Sequence, residues 1–525
     1  MKKTLKKSLN LLQLTFASTG AIIGSGWLLG IYFSAKYAGP SSIISWIAGG
    51  FAVMLIALVY SELGSMLPLS GGIARYPKYT HGALLGFISS WILVISGAAV
   101  SSIEAEASIQ YLNYYIHGLY MNSSLTPLGL IATFFLLMLF FIINIFGVKI
   151  LAKTNTFLTW FKLAIPIIAA SALIYAAFKN NNISYAINHY NFMPYGFSGM
   201  MKSISLGGIM FSFLGFRQSI ELAGESKKPG RDVPLATIIS VIIGIIIYGA
   251  LSVSFIFAVP SVKSNNWHAL NYSSPFINLS NNYNLFFLTV LIIVGAIISP
   301  FGTGLTYMGT TSRVSYAMSK MDFLPRKLSQ FNKYGIAYIS LIFIFCLSVI
   351  YIMPFPSWQA LVGLITSSIV FTYILGPVSL MSFRKLTPKL KRPFYLPFAS
   401  IISPIAFIVG TLIIYWSGFG TLWKLSIGIA AGCIIFIIKD RKKKNFKKNF
   451  LPGLWFLFYI ITLITLSYLG SSDFGGINLL IFPYDIIVVT IAALIYYGVS
   501  IRTFIKTDEI KMILEEQFIS EEFDE

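Results

Sequence analysis

Charged side chains are scarce in this 525-residue sequence. Asp, Glu, Lys and Arg make up 11% of the residues, whereas 56% are hydrophobic and the mean hydropathy is +0.78. Soluble globular domains carry about 25% charged residues, so this composition excludes a soluble fold. It indicates instead a polytopic membrane protein.

Cysteine and histidine are also rare. The two cysteines, Cys346 and Cys433, fall inside apolar runs, so nothing suggests a disulfide framework. The four histidines are scattered through predicted loops and span ends, at His81, His117, His189 and His268. An intramembrane enzyme would need a nucleophile with its base, or a His-rich metal site. We therefore expect no enzymatic activity, no metal and no cofactor.

Apolar runs of about 20 residues recur along the whole chain, and each can cross a hydrocarbon core of roughly 30 Å as a helix. Runs such as LIATFFLLMLFFIINIF are apolar on every face, whereas a β-barrel strand would alternate with polar positions. The predicted fold is therefore an all-α membrane protein with about fourteen spans. These are 14–36, 42–67, 83–117, 127–147, 155–178, 198–223, 234–259, 284–318, 336–353, 358–383, 400–418, 421–438, 450–470 and 477–503.

The net charge of +20 is explained by the orientation of the chain in the membrane. With the N-terminus inside, most of the 38 lysines and arginines fall in segments on the inner side, as the positive-inside rule requires. Anionic lipid headgroups explain such a surplus better than nucleic acid does. We predict a multi-pass protein of the plasma membrane, with a cytoplasmic N-tail (1–13) and a cytoplasmic acidic tail (504–525).

Four ionisable residues fall deep inside predicted spans: Glu104, Glu106, Lys162 and Arg217. A charge at mid-bilayer depth costs about 2.5–3.5 kcal/mol on insertion scales, so such residues usually face a cavity or a partner. Structural alternatives exist for each. Lys162 could extend to the inner interface, and the two glutamates lie on nearly opposite helix faces, so at most one can point into a shared cavity.

The first span contains TGAIIGSGWLLG, in which five small residues crowd into one crossing: Gly20, Gly24, Ser25, Gly26 and Gly30. Such clusters often serve helix packing. Gly24-Ser25-Gly26 at mid-span would also let the helix open, and bare peptide groups at that depth are tolerated only beside a cavity. Both interpretations stay open.

The sixth span has a parallel feature, LGGIMFSFLGFRQS, with glycine followed by polar residues. Two five-helix units in series must lie in opposite orientations, which is the inverted-repeat plan of many secondary transporters. We therefore predict a first repeat at 14–178, a second at 198–383, and four additional spans at 400–503. The amides and carbonyls of two broken helices would suit an amino acid, which carries both a carboxylate and an ammonium group.

Four segments together carry a resemblance to the amino acid–polyamine–organocation superfamily of transporters, over about residues 10–383. They are GAIIGSGWLLG, YSELGSMLPLSGGIARYPKY, ELAGESKKPGRDVPLA and SRVSYAMSKMDFLPRKL. The resemblance implies the leucine-transporter fold, with discontinuous first and sixth helices, and a secondary transporter that imports amino acids by alternating access.

The resemblance also implies a substrate site. Backbone amides of the first break would hold the substrate α-carboxylate, at Ile23, Gly24, Ser25 and Gly26. Backbone carbonyls of the sixth span would hold the α-amino group, at Phe211, Ser212 and Gly215. An aromatic side chain near Phe211 to Phe216 would act as a gate.

The segment TNTFLTWFKLAIPII resembles the fifth span of proton-coupled members, in which a lysine replaces a sodium site. On that mapping Lys162 is the coupling residue, because burial disfavours the charged form of a lysine and lets it release a proton. The expected partners are thus an amino acid, protons and the lipid bilayer. The alternative is exchange or uniport with Lys162 as a fixed charge.

Arg217 departs from the family pattern, since many members carry glutamate after the glycine of the sixth span and this chain reads Gly215-Phe216-Arg217. A guanidinium binds a carboxylate through two parallel hydrogen bonds. The prediction is an acidic substrate, which agrees with a likeness to the aspartate/glutamate branch. An internal pair of Arg217 with Glu104, Glu106 or Glu221 would explain the same residue and leave the substrate neutral or broad in range.

A protein of another class, a non-transporting membrane sensor of amino acids, could keep such a binding site without turnover. Sensors of this kind often signal through a large cytoplasmic domain, whereas this sequence shows only a short tail. Transport is therefore the favoured interpretation.

Overall fold

The computed structural model describes residues 7–69, 71–121, 124–146, 148–260, 262, 265–353, 357–441 and 446–505, without the side chains of 148–155 and 360. Most of the predicted acidic tail (504–525) and the first six residues of the N-tail lie outside these ranges.

The described chain is helical apart from one short hairpin, formed by β1 (Tyr120–Met121) and β2 (Ser124–Leu125). The α-helices are α1 (Leu11–Ile22), α2 (Ile31–Ala38), α3 (Ser42–Met66), α4 (Gly72–Leu112), α5 (Pro127–Ile145), α6 (Val148–Lys179), α7 (Asn182–His189), α8 (Gly196–Ser205), α9 (Ile209–Phe213), α10 (Gln218–Glu221), α11 (Pro229–Ala258), α12 (Pro275–Asn282), α13 (Phe286–Lys320), α14 (Tyr338–Ile352), α15 (Trp358–Tyr373), α16 (Leu375–Leu386), α17 (Ala399–Trp416), α18 (Phe419–Asp440), α19 (Phe446–Phe450), α20 (Leu454–Leu469) and α21 (Tyr484–Ser500).

Eleven helical stretches among the described residues are long and apolar enough to cross a membrane, and three shorter apolar helices, α1, α14 and α21, accompany them. One of the eleven, Gly26–Met66, contains a change of direction at Gly39, whose φ of +60° is left-handed. The chain is therefore an all-helical, multi-pass membrane protein, and the count of fourteen spans stays a prediction.

The helices pack around α4 and α13, which contact each other along their length. α3 packs against α11, and α5 packs against α14. α1 lies among α6, α11 and α13, so its middle is enclosed by protein and not by lipid. The last helices, α17 to α21, pack on the outside of this bundle, where α17 contacts α3 and α18 contacts α4.

The N-terminal segment is tied to the chain after the sixth predicted span by peptide hydrogen bonds. The amides of Ser8 and Leu9 both donate to the Glu225 carbonyl at 2.9 Å, and the Lys227 amide donates to the Leu9 carbonyl at 2.9 Å. This bridge joins the approach to α1 with the approach to α11.

Glu62, at the end of α3, is the centre of a buried charge cluster on the same face of the molecule. Arg384 Nε donates to its carboxylate at 3.0 Å, Arg392 Nε lies 3.3 Å from it, and the Leu396 amide donates to it at 2.8 Å. The Glu62 side chain is fully buried. One carboxylate thus fastens the end of α16 and the following loop to α3.

We expect Glu62→Gln to lower the free energy of unfolding by about 3–5 kcal/mol, because removing one partner leaves two arginines without their counter-charge in a buried site. Asp322→Asn is the matched control. It removes a carboxylate from an i,i+4 pair with Arg326 in which both side chains are largely exposed, so its effect should stay below about 1 kcal/mol. Thermal melting of the purified variants in detergent measures both, and equal melting temperatures would contradict the prediction.

Candidate substrate site at the interrupted helices

The first helix is interrupted in the middle of the bundle. α1 ends at Ile22, residues 23–25 are not helical, and the chain resumes with a π turn at Gly26–Gly30 that leads into α2. Ile23 has φ −86° and ψ 76°, outside the helical region. Every residue from 21 to 30 is buried. The peptide groups freed here cannot reach water and must find partners within the protein.

The amide side of the break binds a carboxylate of the protein. The Ser25 N–H donates to Glu104 Oε2, on α4, at 2.8 Å. Gly24 lies against the same group, since a β-carbon added there would lie 2.6 Å from Glu104 Oε1. The Ser25 hydroxyl accepts a hydrogen bond from Trp358 Nε1 at 2.7 Å.

The carbonyl side of the break binds an ammonium group. Lys162 Nζ, on α6, donates to the Gly20 carbonyl at 2.5 Å and to Thr303 Oγ1 at 2.9 Å. The Thr303 hydroxyl, on α13, donates in turn to the Gly20 carbonyl at 2.9 Å, and the Tyr248 hydroxyl donates to the Ile22 carbonyl at 2.7 Å. Lys162 is fully buried, so it does not extend to the interface.

These partners match the electrostatics of the break. The C-terminal end of a helix carries partial negative charge and the N-terminal end partial positive charge. A cation therefore lies at the end of α1 and an anion at the start of the next helical segment. The arrangement can bind one carboxylate and one ammonium group on the two sides of one break, and an α-amino acid carries both groups.

The second irregular segment, in the sixth predicted span, begins at residue 206, several residues before Gly215. α8 ends at Ser205, and residues 206–208 are not helical because Gly208 adopts a φ of +92°. After α9 the chain tightens into a 3-10 helix at Leu214–Arg217. The Phe211 and Gly215 carbonyls, predicted to hold the amino group, accept local amides from Leu214 and Gln218. In this structure they already have hydrogen-bond partners.

The two irregular segments touch each other. A β-carbon on Gly26 would overlap the Ser212 hydroxyl, and one on Gly215 would overlap the backbone at Ala21 and Ile22. Glycine is required at these crossings because the chains approach closer than any side chain allows. The structure thus brings residues 23–26 together with Ser212 and Gly215.

Aromatic rings close one side of this region. The Phe211 ring meets Trp358 edge-on, with centroids 5.6 Å apart, and Trp358 stacks on Phe33 at 5.4 Å. A cavity of about 360 Å³ reaches Phe33 and Trp358 and is lined by polar residues that include Lys36 and Gln110. Phe216 lies elsewhere, 4.9 Å from the Tyr373 ring. Phe211 thus contacts Trp358, which lines the cavity, whereas Phe216 does not.

Arg217 lies against Glu221, one of the three partners that the sequence leaves open. Its Nε is 3.4 Å from Glu221 Oε1, both side chains are buried, and its guanidinium carbon is 5.1 Å from the centre of the Tyr307 ring. Its two Nη atoms make no hydrogen bond to any residue that the structure describes. The Ser18 hydroxyl, on α1, donates to the Phe216 carbonyl at 3.1 Å and accepts the Ser219 amide at 2.9 Å, so the backbone around Arg217 lies against α1 before its break.

Glu106 is not part of the break. It is 2% exposed, and neither carboxylate oxygen has a hydrogen-bond partner among the described residues. Of the two glutamates on α4, only Glu104 reaches Ser25, as expected from their positions on opposite faces of the helix.

Three contributors to the site carry no motif that marks them in the sequence: Thr303, Tyr248 and Trp358. For Thr303 the only signal is a hydroxyl between Gly302 and Gly304 inside an apolar run. Tyr248 and Trp358 are aromatic residues in a chain that is 16% aromatic, so composition does not distinguish them.

Comparison with known proteins identifies the family of this chain. Residues 9–423 match the amino acid permease family. The chain belongs to that family. The resemblance to the amino acid–polyamine–organocation superfamily is thereby confirmed, and the protein is an amino acid permease by descent.

Three relatives from Bacillus subtilis match this permease over at least 94% of their own length. The glutamate/serine transporter AimA is 34% identical over 518 residues, covering 97% of this chain and 96% of the relative. The aspartate-proton symporter is 38% identical over 504 residues, covering 94% and 96%. The branched-chain amino acid permease BcaP is 26% identical over 460 residues, covering 84% and 94%. All three are named as transporters or permeases, which agrees with the prediction that the chain is not an enzyme.

The contact of Gly24 with Glu104 and Thr303 predicts that Gly24→Ala abolishes substrate binding in a folded protein. The added carbon would lie 2.6 Å from Glu104 Oε1 and 2.9 Å from Thr303 Oγ1, so the break must rearrange. Gly249→Ala, on α11, is the control, because its added carbon meets nothing within 4 Å. Binding of labelled amino acids to purified protein measures the effect. Equal binding by the two variants would show that the break does not hold the substrate.

Proposed function

We propose that this permease imports amino acids by alternating access, driven by protons, with aspartate or glutamate as the favoured substrate. One observation carries the proposal: the break in α1 already binds a carboxylate at the Ser25 amide and an ammonium group at the Gly20 carbonyl. An amino acid carries both a carboxylate and an ammonium group. No cofactor is required, since the proton gradient supplies the driving force.

The preference for an acidic side chain rests on Arg217. Its guanidinium is buried, and two of its nitrogens have no hydrogen-bond partner among the described residues, so they are available to a second carboxylate. The names of two relatives, a glutamate/serine transporter and an aspartate-proton symporter, support the same preference.

An inverted repeat of five plus five helices would explain the observed packing. The two irregular segments touch, α3 packs against α11, α4 against α13 and α5 against α14. In the predicted span order each partner is five places further along the chain. We propose repeats at 14–178 and 198–383, with spans 400–503 added outside them, and fourteen crossings in total.

Orientation follows from the lysines and arginines. The N-terminal bridge and the Glu62 cluster lie on the face that carries most of them, and we assign this face to the cytoplasm of a plasma-membrane protein. The cavity at Phe33 and Trp358 is then the external entrance, and the Trp358 ring separates it from the break.

A neutral or broad-range permease or exchanger is the second candidate. The 3.4 Å contact between Arg217 and Glu221 favours it, because a guanidinium that is neutralised internally need not bind a substrate side chain.

Uptake of labelled aspartate, glutamate, alanine and arginine into proteoliposomes tests the substrate class. Wild-type protein should accumulate the two acidic substrates best when an inward proton gradient is imposed. Arg217→Ala should reduce aspartate uptake at least about tenfold and leave alanine uptake close to wild type, since a charge-assisted hydrogen bond to the substrate side chain is lost. An equal loss for all substrates would favour the structural pair with Glu221.

Lys162→Ala tests proton coupling. Removal of the ammonium group should abolish accumulation against a gradient while exchange of internal for external substrate continues, because the substrate site is otherwise intact. Lys179→Ala, at the end of the same helix, is the control and should accumulate substrate normally. Gradient-driven accumulation by Lys162→Ala at the wild-type level would reject a coupling role for Lys162.

A further inference from the structure

The amide that we assign to the substrate carboxylate is occupied by Glu104 in this structure. Glu104 is 1% exposed and accepts the Ser25 N–H at 2.8 Å. Both of its carboxylate oxygens lie within 3 Å of the position that a β-carbon on Gly24 would take. The carboxylate therefore covers the open side of Gly24 as well as the Ser25 amide.

A second carboxylate cannot share this place. An added methyl group on Gly24 already overlaps Glu104, so no free volume remains there. Two carboxylates at one amide would also repel each other, because like charges in a buried site disfavour joint ionisation. The substrate must displace Glu104 before its own carboxylate can bind.

We propose that Glu104 is a tethered competitor of the substrate, which caps the Ser25 amide in the empty transporter and yields it to the substrate carboxylate. The inference rests on the proposed function, since it assumes that an amino acid binds at the break. In this role Glu104 opposes substrate binding, whereas a substrate ligand would support it. Removing the Glu104 carboxylate should therefore tighten substrate binding.

The charge on Glu104 determines how strongly it competes with the substrate for the Ser25 amide. The titratable groups that face Glu104 from neighbouring helices are Lys162 on α6, Tyr248 on α11 and Tyr307 on α13. An ionised carboxylate accepts a hydrogen bond about twice as strong as a neutral group does. A proton taken from water onto Glu104 therefore weakens its hold on Ser25, and the substrate should bind more tightly as the pH falls.

Glu104→Gln imitates the neutral carboxyl group without changing its size. We expect the purified variant to bind labelled aspartate about tenfold more tightly than wild type at roughly pH 9, and equally tightly at roughly pH 6.5, where wild type should approach the same affinity. Glu106→Gln is the matched control, because it removes a buried carboxylate two residues away on the same helix that does not reach Ser25. It should keep the wild-type affinity and pH dependence.

Glu104→Asp is a second test of the inference, for the case that the neutral variant does not fold. It keeps the negative charge near Lys162 but withdraws the carboxylate by about one methylene length, so that it no longer reaches the Ser25 amide. Labelled aspartate should bind this variant more tightly than wild type at roughly pH 9, with little further gain at roughly pH 6.5.

Two results would overturn the inference while the proposed function stands. One is a wild-type pH dependence in either Glu104 variant. The other is weaker binding at both pH values by a Glu104 variant whose melting temperature matches wild type, since Glu104 would then be a substrate ligand. If the wild-type protein binds none of the four labelled amino acids, the proposed function fails and this inference fails with it.

Discussion

Peptide groups left unpaired in a hydrocarbon environment cost several kcal/mol each, so the break in α1 needs hydrogen-bond partners within the protein. Lys162 binds the Gly20 carbonyl, and Glu104 binds the Ser25 amide. The dependence is mutual, because these two buried charges would be equally costly without the peptide dipoles that they meet. The interrupted helix, the cation and the anion therefore stabilise one another at this depth.

The bundle holds this unit in place from three directions. Glu104 comes from α4, Lys162 from α6 and Thr303 from α13, and α4 packs against α13 along its length. Long, continuous helices thus position the side chains, whereas the interrupted helix supplies the backbone groups. This division explains why the site contains so few charges: most of its binding capacity lies in peptide groups.

Much of this could be read from the sequence, because hydrophobic length and glycine clusters report directly on membrane helices and their breaks. The break at residues 23–25 and the burial of Glu104, Lys162 and Arg217 follow from that logic. The partners could not be predicted in the same way. Thr303 and Tyr248 reach the break through helix packing, which no local pattern encodes, and the start of the second irregular segment depends on the left-handed Gly208 and not on Gly215.

The partner of Arg217 could not be predicted from the sequence alone. The charge and depth of Arg217 are evident from the sequence, but its partner depends on a 3-10 turn that aims the side chain along its own helix toward Glu221. The i,i+4 spacing permits this contact, and only the three-dimensional arrangement selects it over Glu104 and Glu106.

The bridge between Leu9 and the segment after Glu225 uses peptide groups alone. Peptide groups are common to all residues except for the missing N–H of proline, so this link constrains the path of the backbone but hardly the identity of the side chains. The attachment itself should therefore tolerate a changed side chain at Ser8, whereas Leu9 is held additionally by its side chain, which is buried in the hydrophobic core.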